Sequence, residues 1–131
     1  PNPLCYVGEL GTGPNPKLLD KVKESDVVLV AGARLDEIAT QSYTLFDAPN
    51  PKQKLIHIHP SGDEIGKVYI PALGVQADMV SAAAALAGGG FKIDGRGWAG
   101  WRDELRALYQ DWTSIGPEKF YKWDGASASI L

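Results

Sequence analysis

Glycine and charge gather in four short stretches of this chain: Gly8–Gly13 (GELGTG), Gly32–Glu37 (GARLDE), His59–Glu64 (HPSGDE) and Ala77–Met79 (ADM). Glycine lets a ligand approach the backbone, and Arg34 is the residue type that meets a phosphate or carboxylate. A Gly-rich loop ahead of a helix presents N–H groups to an anion. The chemistry these types suggest is nucleotide binding. The spacing at Gly8–Gly13 is neither a Walker A loop nor the dinucleotide fingerprint, and no Lys-Ser/Thr pair follows it. Read alone, Gly8–Gly13 equally describes a turn before a helix cap, and Gly32–Glu37 an ordinary solvated loop.

No catalytic set accompanies these stretches. The chain has no Gly-x-Ser-x-Gly elbow, and Cys5 has no histidine near it in sequence. His57 and His59 form an H-x-H pair that resembles half of a zinc site. With one thiol and no third histidine, the reading preferred is a structural His57 and a strand-end His59, with no metal.

The elements that must position the four stretches follow from pattern. Asp26–Ala31 is a continuous apolar run ending at Gly32, the form of a strand buried on both faces of a parallel sheet. Before it, Asn15 and Pro16 read as cap and first residue of a helix to about Glu24. Leu18, Leu19 and Val22 lie on its dry face, and Lys17, Lys21 and Lys23 on its wet one. Lys54–His59 is a second strand, with Leu55, His57 and His59 on one face and Ile56 and Ile58 on the other. Between these strands Tyr43, Leu45 and Phe46 are expected in the core, and Pro49–Pro51 forms a turn. An extended segment follows over Val68–Val75, and Asp78 caps an alanine-rich helix, Met79–Ala87. Alternating strands and helices of this kind predict an α/β fold with a parallel, Rossmann-like sheet. All four Gly and charge stretches adjoin strand ends, where such sheets bind ligands.

Gly88–Gly90 breaks the pattern. Beyond it Trp98, Trp101, Leu105, Leu108 and Trp112 form a stripe that predicts an amphipathic helix packed back on its own domain, with Arg102, Asp103, Glu104, Arg106 and Gln110 facing away. The tail, Gly116–Leu131, is aromatic without periodicity and is expected to pack on another domain. The division expected is a central α/β domain over 1–88 and a linker, helix and tail over 89–131.

Totals narrow the function class. With 131 residues, 44% of them hydrophobic, the chain can build one core. Its net charge of −3 argues against a general nucleic-acid binder. A single cysteine fits a reducing, cytoplasmic setting, and no apolar run approaches the ~20 residues that cross a bilayer. The start, PNPLCYVG, lacks both Met and a signal-peptide pattern and reads as the beginning of an excised fragment.

Taken together, GELGTGPNPKL, ESDVVLVAGARLDE, YTLFDAPNPKQKLIHIHPSGDEIGKVY and LGVQADM resemble the central domain of thiamine-diphosphate-dependent enzymes of the acetolactate synthase type, from about Tyr6 to Leu86. The resemblance implies a parent with three α/β domains. The first and last hold thiamine diphosphate and Mg²⁺, and with them the catalytic glutamate. The middle domain is a six-stranded Rossmann-like sheet that binds FAD in some members, ADP in others, and no nucleotide in the rest. The present chain corresponds to the second half of that middle domain plus the linker helix. It implies a non-catalytic, structural or nucleotide-binding part of an enzyme acting on 2-oxo acids.

Carried over by position, the cofactor-binding residues are Leu10, Gly11 and Thr12 of the Gly-rich segment. From the next loop come Gly32, Ala33, Arg34, Asp36 and Glu37, followed by His59 at a strand end and Asp78 and Met79 near the adenine. Three positions depart from the family's pattern. Thr12-Gly13 replaces Met-His, Ile38 replaces a basic residue, and His59 replaces the acid that accepts two ribose hydroxyl protons. The expected partners are the parent's other domains and a second copy in a homodimer, because a half-sheet exposes an edge and an apolar face. Neither nucleic acid nor membrane is expected. The alternative is a stand-alone adenine-nucleotide-binding or protein-interaction module.

Overall fold

A computed structural model describes residues 5–92, 94–114, 120–123 and 126–129. Leu4, the start of the apolar stretch Leu4–Val7, and much of the tail Gly116–Leu131, including the side chains of Phe120, Tyr121 and Trp123, lie outside the described residues.

Helix α1 spans Pro16–Lys23. It begins where predicted because the Asn15 side chain accepts from Lys17 N at 3.0 Å and Pro16 needs no partner at the first helical position. Strands β1 (Val27–Ala31), β2 (Lys54–His59) and β3 (Leu73–Gln76) form a three-stranded parallel sheet in the order β1-β2-β3. Val28 pairs with Leu55, Val30 with His57, and His57 with Gly74. Helix α2 spans Met79–Gly88, and α3 spans Ala99–Thr113. Two further strands, β4 (Phe120–Trp123) and β5 (Ala126–Ser129), pair antiparallel in the tail, whose sequence shows no periodicity. The parallel sheet with helices is the α/β, Rossmann-like arrangement expected.

The core lies on one face of the sheet. Val30, Leu45, Phe46, Leu55 and Tyr69 are buried together, and Leu19, Val22 and Val28 pack against them. Tyr69 meets Phe46 edge to face, with ring centroids 5.9 Å apart. On the other face α2 contacts β2, and Ala82 and Ile58 are buried there. Towards the start of β1 that cover ends: Val27 and Leu29 are each 52% exposed. The strand expected to be buried on both faces is therefore covered on one.

Four other expectations need correction. The predicted extended segment Val68–Val75 yields a strand only from Leu73, because Tyr69 turns into the core and Ile70 N donates to Pro49 O, away from the sheet. Tyr43, expected in the core, is 43% exposed. Helix α3 does pack back, against α1, with Leu18 and Leu105 buried. Its inner face is nonetheless not the tryptophan stripe, since Trp98, Trp101 and Trp112 are exposed. Arg106, expected to face away, instead donates from Nη1 to Tyr6 O at 2.8 Å, and its guanidinium lies 4.9 Å from the Tyr109 ring centroid. The ring of Tyr6 meets Tyr109 edge to face at 5.2 Å. Asn15 Nδ2 donates to Leu108 O at 3.3 Å, and Lys21 pairs with Glu104 at 3.0 Å. Among the described residues, no helix is long and apolar enough to cross a membrane.

Candidate functional site

Three loops leave the carboxyl ends of the parallel strands side by side. Gly32–Glu37 follows β1, Pro60–Glu64 follows β2, and Ala77-Asp78 follows β3. In-register pairing puts them there, since Gly32 N donates to Ile58 O at 2.9 Å and Ala77 N to His59 O at 3.2 Å. This is the position at which open parallel sheets take ligands.

Gly32 carries a φ of 72°, and a Cβ placed on it would lie 3.0 Å from Met79 Cγ. Backbone conformation and the thioether above it both call for glycine. The same contact brings two of the predicted site residues together. Asp78 caps α2, accepting from Ser81 N at 2.9 Å; the Ser81 hydroxyl first, and then this backbone N–H, hold its carboxyl below the ordinary range.

Asp36 is engaged in a similar way. Its Oδ1 accepts from Ile38 N at 3.1 Å and Ala39 N at 2.9 Å, so it caps the following turn. Glu37 and Thr12 are exposed. Arg34 is also exposed, and its nearest carboxylate, on Glu64, stands 3.9 Å away. Glu64 bonds instead to Lys67 at 3.0 Å. That bond, opposed by a smaller effect of burial and helped by the charges of Lys67 and Arg34, keeps the Glu64 carboxyl below its usual range.

Both histidines of β2 are buried, with rings 5.8 Å apart. His57 Nε2 lies 3.0 Å from Ala33 O, an acceptor, so it carries the proton and donates to the loop. Ser61 N donates to His59 Nδ1 at 3.0 Å, which leaves the His59 proton on Nε2. The 3.1 Å approach of the same Nδ1 to Ser61 O is then a contact without a hydrogen bond. His57 thus fixes the start of the Gly32–Glu37 loop, and His59 the start of the next. Among the described residues no three His, Cys, Asp or Glu side chains gather as metal ligands do.

Arg34, Asp36, Tyr43, His57, Glu64 and Tyr69 contribute to the walls of a cleft of about 130 Å³. Cavities that enclose a drug-sized ligand run to about 300–1,000 Å³, so this one has room for a phosphate or ribose and not for a whole dinucleotide. On the far side of the loop lies a shallow, open groove, with Gly11, Glu37, Ile38 and Gln41 in its walls. Of the predicted residues, the structure therefore brings Arg34 and Asp36 to the cleft and Gly11 and Glu37 to the groove. Gly32, Asp78 and Met79 meet at the base of α2.

Sequence reasoning missed the segment between these depressions. Gln41, Ser42 and Tyr43 take φ values of 52°, 56° and 63°, three consecutive left-handed residues without a glycine. Each such residue costs roughly 1–2 kcal/mol. Hydrogen bonds hold the turn. Buried Thr40 donates from Oγ1 to Asp36 O at 2.5 Å, and its carbonyl accepts from Thr44 N and Leu45 N, both at 3.0 Å. Ser42 N donates to Glu37 O at 2.6 Å, and Thr44 Oγ1 to Gln41 O at 2.6 Å. The only sequence signal was the run of hydroxyl and amide residues from Thr40 to Thr44, the types that bond to nearby backbone.

No curated relative matches the chain. The family model described as thiamine pyrophosphate enzyme, central domain, matches residues 2–86. That span takes in α1, the three parallel strands, most of α2 and every loop of the candidate site. Enzymes of this kind work with thiamine diphosphate, and a central domain has the enzyme's other domains as partners. Sheet order, loop placement and the family match agree, and the chain belongs to the thiamine pyrophosphate enzyme central-domain family.

Proposed function

We propose that this chain is the non-catalytic central domain of an acetolactate synthase-like enzyme that joins or cleaves 2-oxo acids, and that its strand-end loops bind an adenine nucleotide. The observation that carries this reading is the convergence of Gly32–Glu37, Pro60–Glu64 and Asp78 at the carboxyl ends of three parallel strands, with Arg34 held only at 3.9 Å from its nearest carboxylate. In the parent, thiamine diphosphate and Mg²⁺ belong to the other domains and supply the carbanion chemistry. Here the residues that would meet the nucleotide are Leu10, Gly11, Thr12, Gly32, Ala33, Arg34, Asp36, Glu37, His59, Asp78 and Met79. Arg34 supplies a fork of donors for a phosphate. His59 offers its Nε2–H to a ribose hydroxyl, where the family's acid would accept. The cleft has room for one phosphate or ribose of either ADP or FAD.

Calorimetric titration of the 131-residue chain with ADP and FAD at low salt tests this. Saturable binding of at least one of them, weakened at least tenfold by Arg34→Ala, is the expected result. Absence of binding to both favours the second reading, a scaffold or interaction module. That reading draws on the exposed Val27 and Leu29. In either case we place the protein in the cytoplasm and pair two copies across the apolar face and free edge of β1.

A further inference from the structure

We propose that Gln41 is the positioning residue of this site: its side-chain amide locks the Gly-rich loop at Leu10–Gly11 to the Arg34–Glu37 loop, so that the two present one surface to a phosphate-bearing ligand. The proposal rests on the nucleotide reading given above. Gln41 Nε2 lies 2.7 Å from Leu10 O, 3.2 Å from Gly11 O and 3.2 Å from Ile38 O. One amide group therefore joins the Leu10 and Gly11 carbonyls to that of Ile38, the residue that follows the Arg34–Glu37 loop, across some 30 residues of chain.

The backbone explains why such a residue stands there. A left-handed run of Gln41, Ser42 and Tyr43 is costly for L-residues, and glycine would remove the cost. Unfavourable backbone of this kind persists where the surrounding structure over-determines it, and it clusters at ligand sites. Over-determination is visible here: Thr40 is wholly buried beneath the turn, and Leu45 and Phe46 anchor its exit in the core. What the turn delivers is also visible. It sends Gln41 to the groove beside Gly11 and Glu37, and Tyr43 to the cleft beside Arg34. One strained turn thus serves both depressions, and Gln41 is its link to the loop that sequence spacing alone leaves ambiguous.

Two variants of the full chain separate a clamp from a mere fold element. Gln41→Gly removes the amide and suits the left-handed backbone, and Ser42→Gly relieves the same backbone with the amide kept. Melting temperature, amide hydrogen exchange at Leu10–Gly13 and affinity for ADP and FAD are measured on each. The expected result is that neither variant melts below the parent. Exchange at Leu10–Gly13 should rise at least tenfold in Gln41→Gly alone, and nucleotide binding should weaken at least tenfold in that variant. Exchange in Gln41→Gly that matches the parent, or that rises equally in Ser42→Gly, overturns the clamp. Absence of both ADP and FAD binding in the parent chain overturns the nucleotide reading instead, and the exchange comparison then decides the clamp by itself.

Discussion

The two faces of the parallel sheet are built on different terms. One carries Val30, Leu55, Tyr69 and the buried His57, closed over by α1 and the segment ending at Phe46. The other is covered near its carboxyl end by α2, with Met79 seated on Gly32, and bares Val27 and Leu29 further back. Both faces have similar residues, so apolar content alone does not decide burial. What decides it is whether the connecting segments return to that side. The packed face also supports the site, because His57 reaches from it to Ala33 and Leu45 and Phe46 secure the turn beside Arg34.

The comparison breaks most readily by substitution on each face. Leu55→Ala, at a site 2% exposed, should cost about 2–5 kcal/mol, whereas Leu29→Ala, at a half-exposed site, should cost about 1 kcal/mol or less. Urea denaturation measures both, and equal losses would mean that the second face is covered in solution. Gly32→Ala should cost about 1–3 kcal/mol, since it meets both an unfavourable φ and the Met79 side chain. Adding Met79→Ala should return only the steric part. Full recovery in that double variant would show that backbone conformation contributes nothing.

The smallest effect concerns acid. The Asp78 carboxyl is held below its ordinary value when folded, so its contribution is complete above the unfolded value and fades as pH falls through the folded one. Asp78→Asn keeps an N-cap that does not titrate. Its melting temperature should therefore fall less steeply than the parent's across the acid side of the carboxylate range. Parallel curves would assign that acid sensitivity to Glu64, whose carboxyl is lowered by Lys67.

Much of the frame was legible in the sequence. The β2 strand matches its prediction from Lys54 to His59, and α1 starts at Pro16, because alternation and a cap-proline pair are local signals. The loops at Gly32 and Asp78 were legible for the same reason. Tyr43 was misread because an aromatic residue between core positions looks buried, and only the left-handed turn redirects it. That turn contains no glycine, so its cause lies in hydrogen bonds to Asp36 and Glu37 that no spacing announces. Arg106 was assigned to the wet face by charge. Its guanidinium instead lies over the Tyr109 ring within α3 and donates to Tyr6 O, a bond set by where α3 meets the start of the chain.

The joint between α3 and the beginning of the chain has a consequence for the order of assembly. Asn15 reaches Leu108 across 93 residues, and Arg106 reaches Tyr6 across 100. Contacts so distant along the chain give nothing back until the entropy of closing the long loop has been overcome. Contact order therefore predicts that helix α3 docks onto α1 after the sheet has formed, as the latch of the fold and not its nucleus.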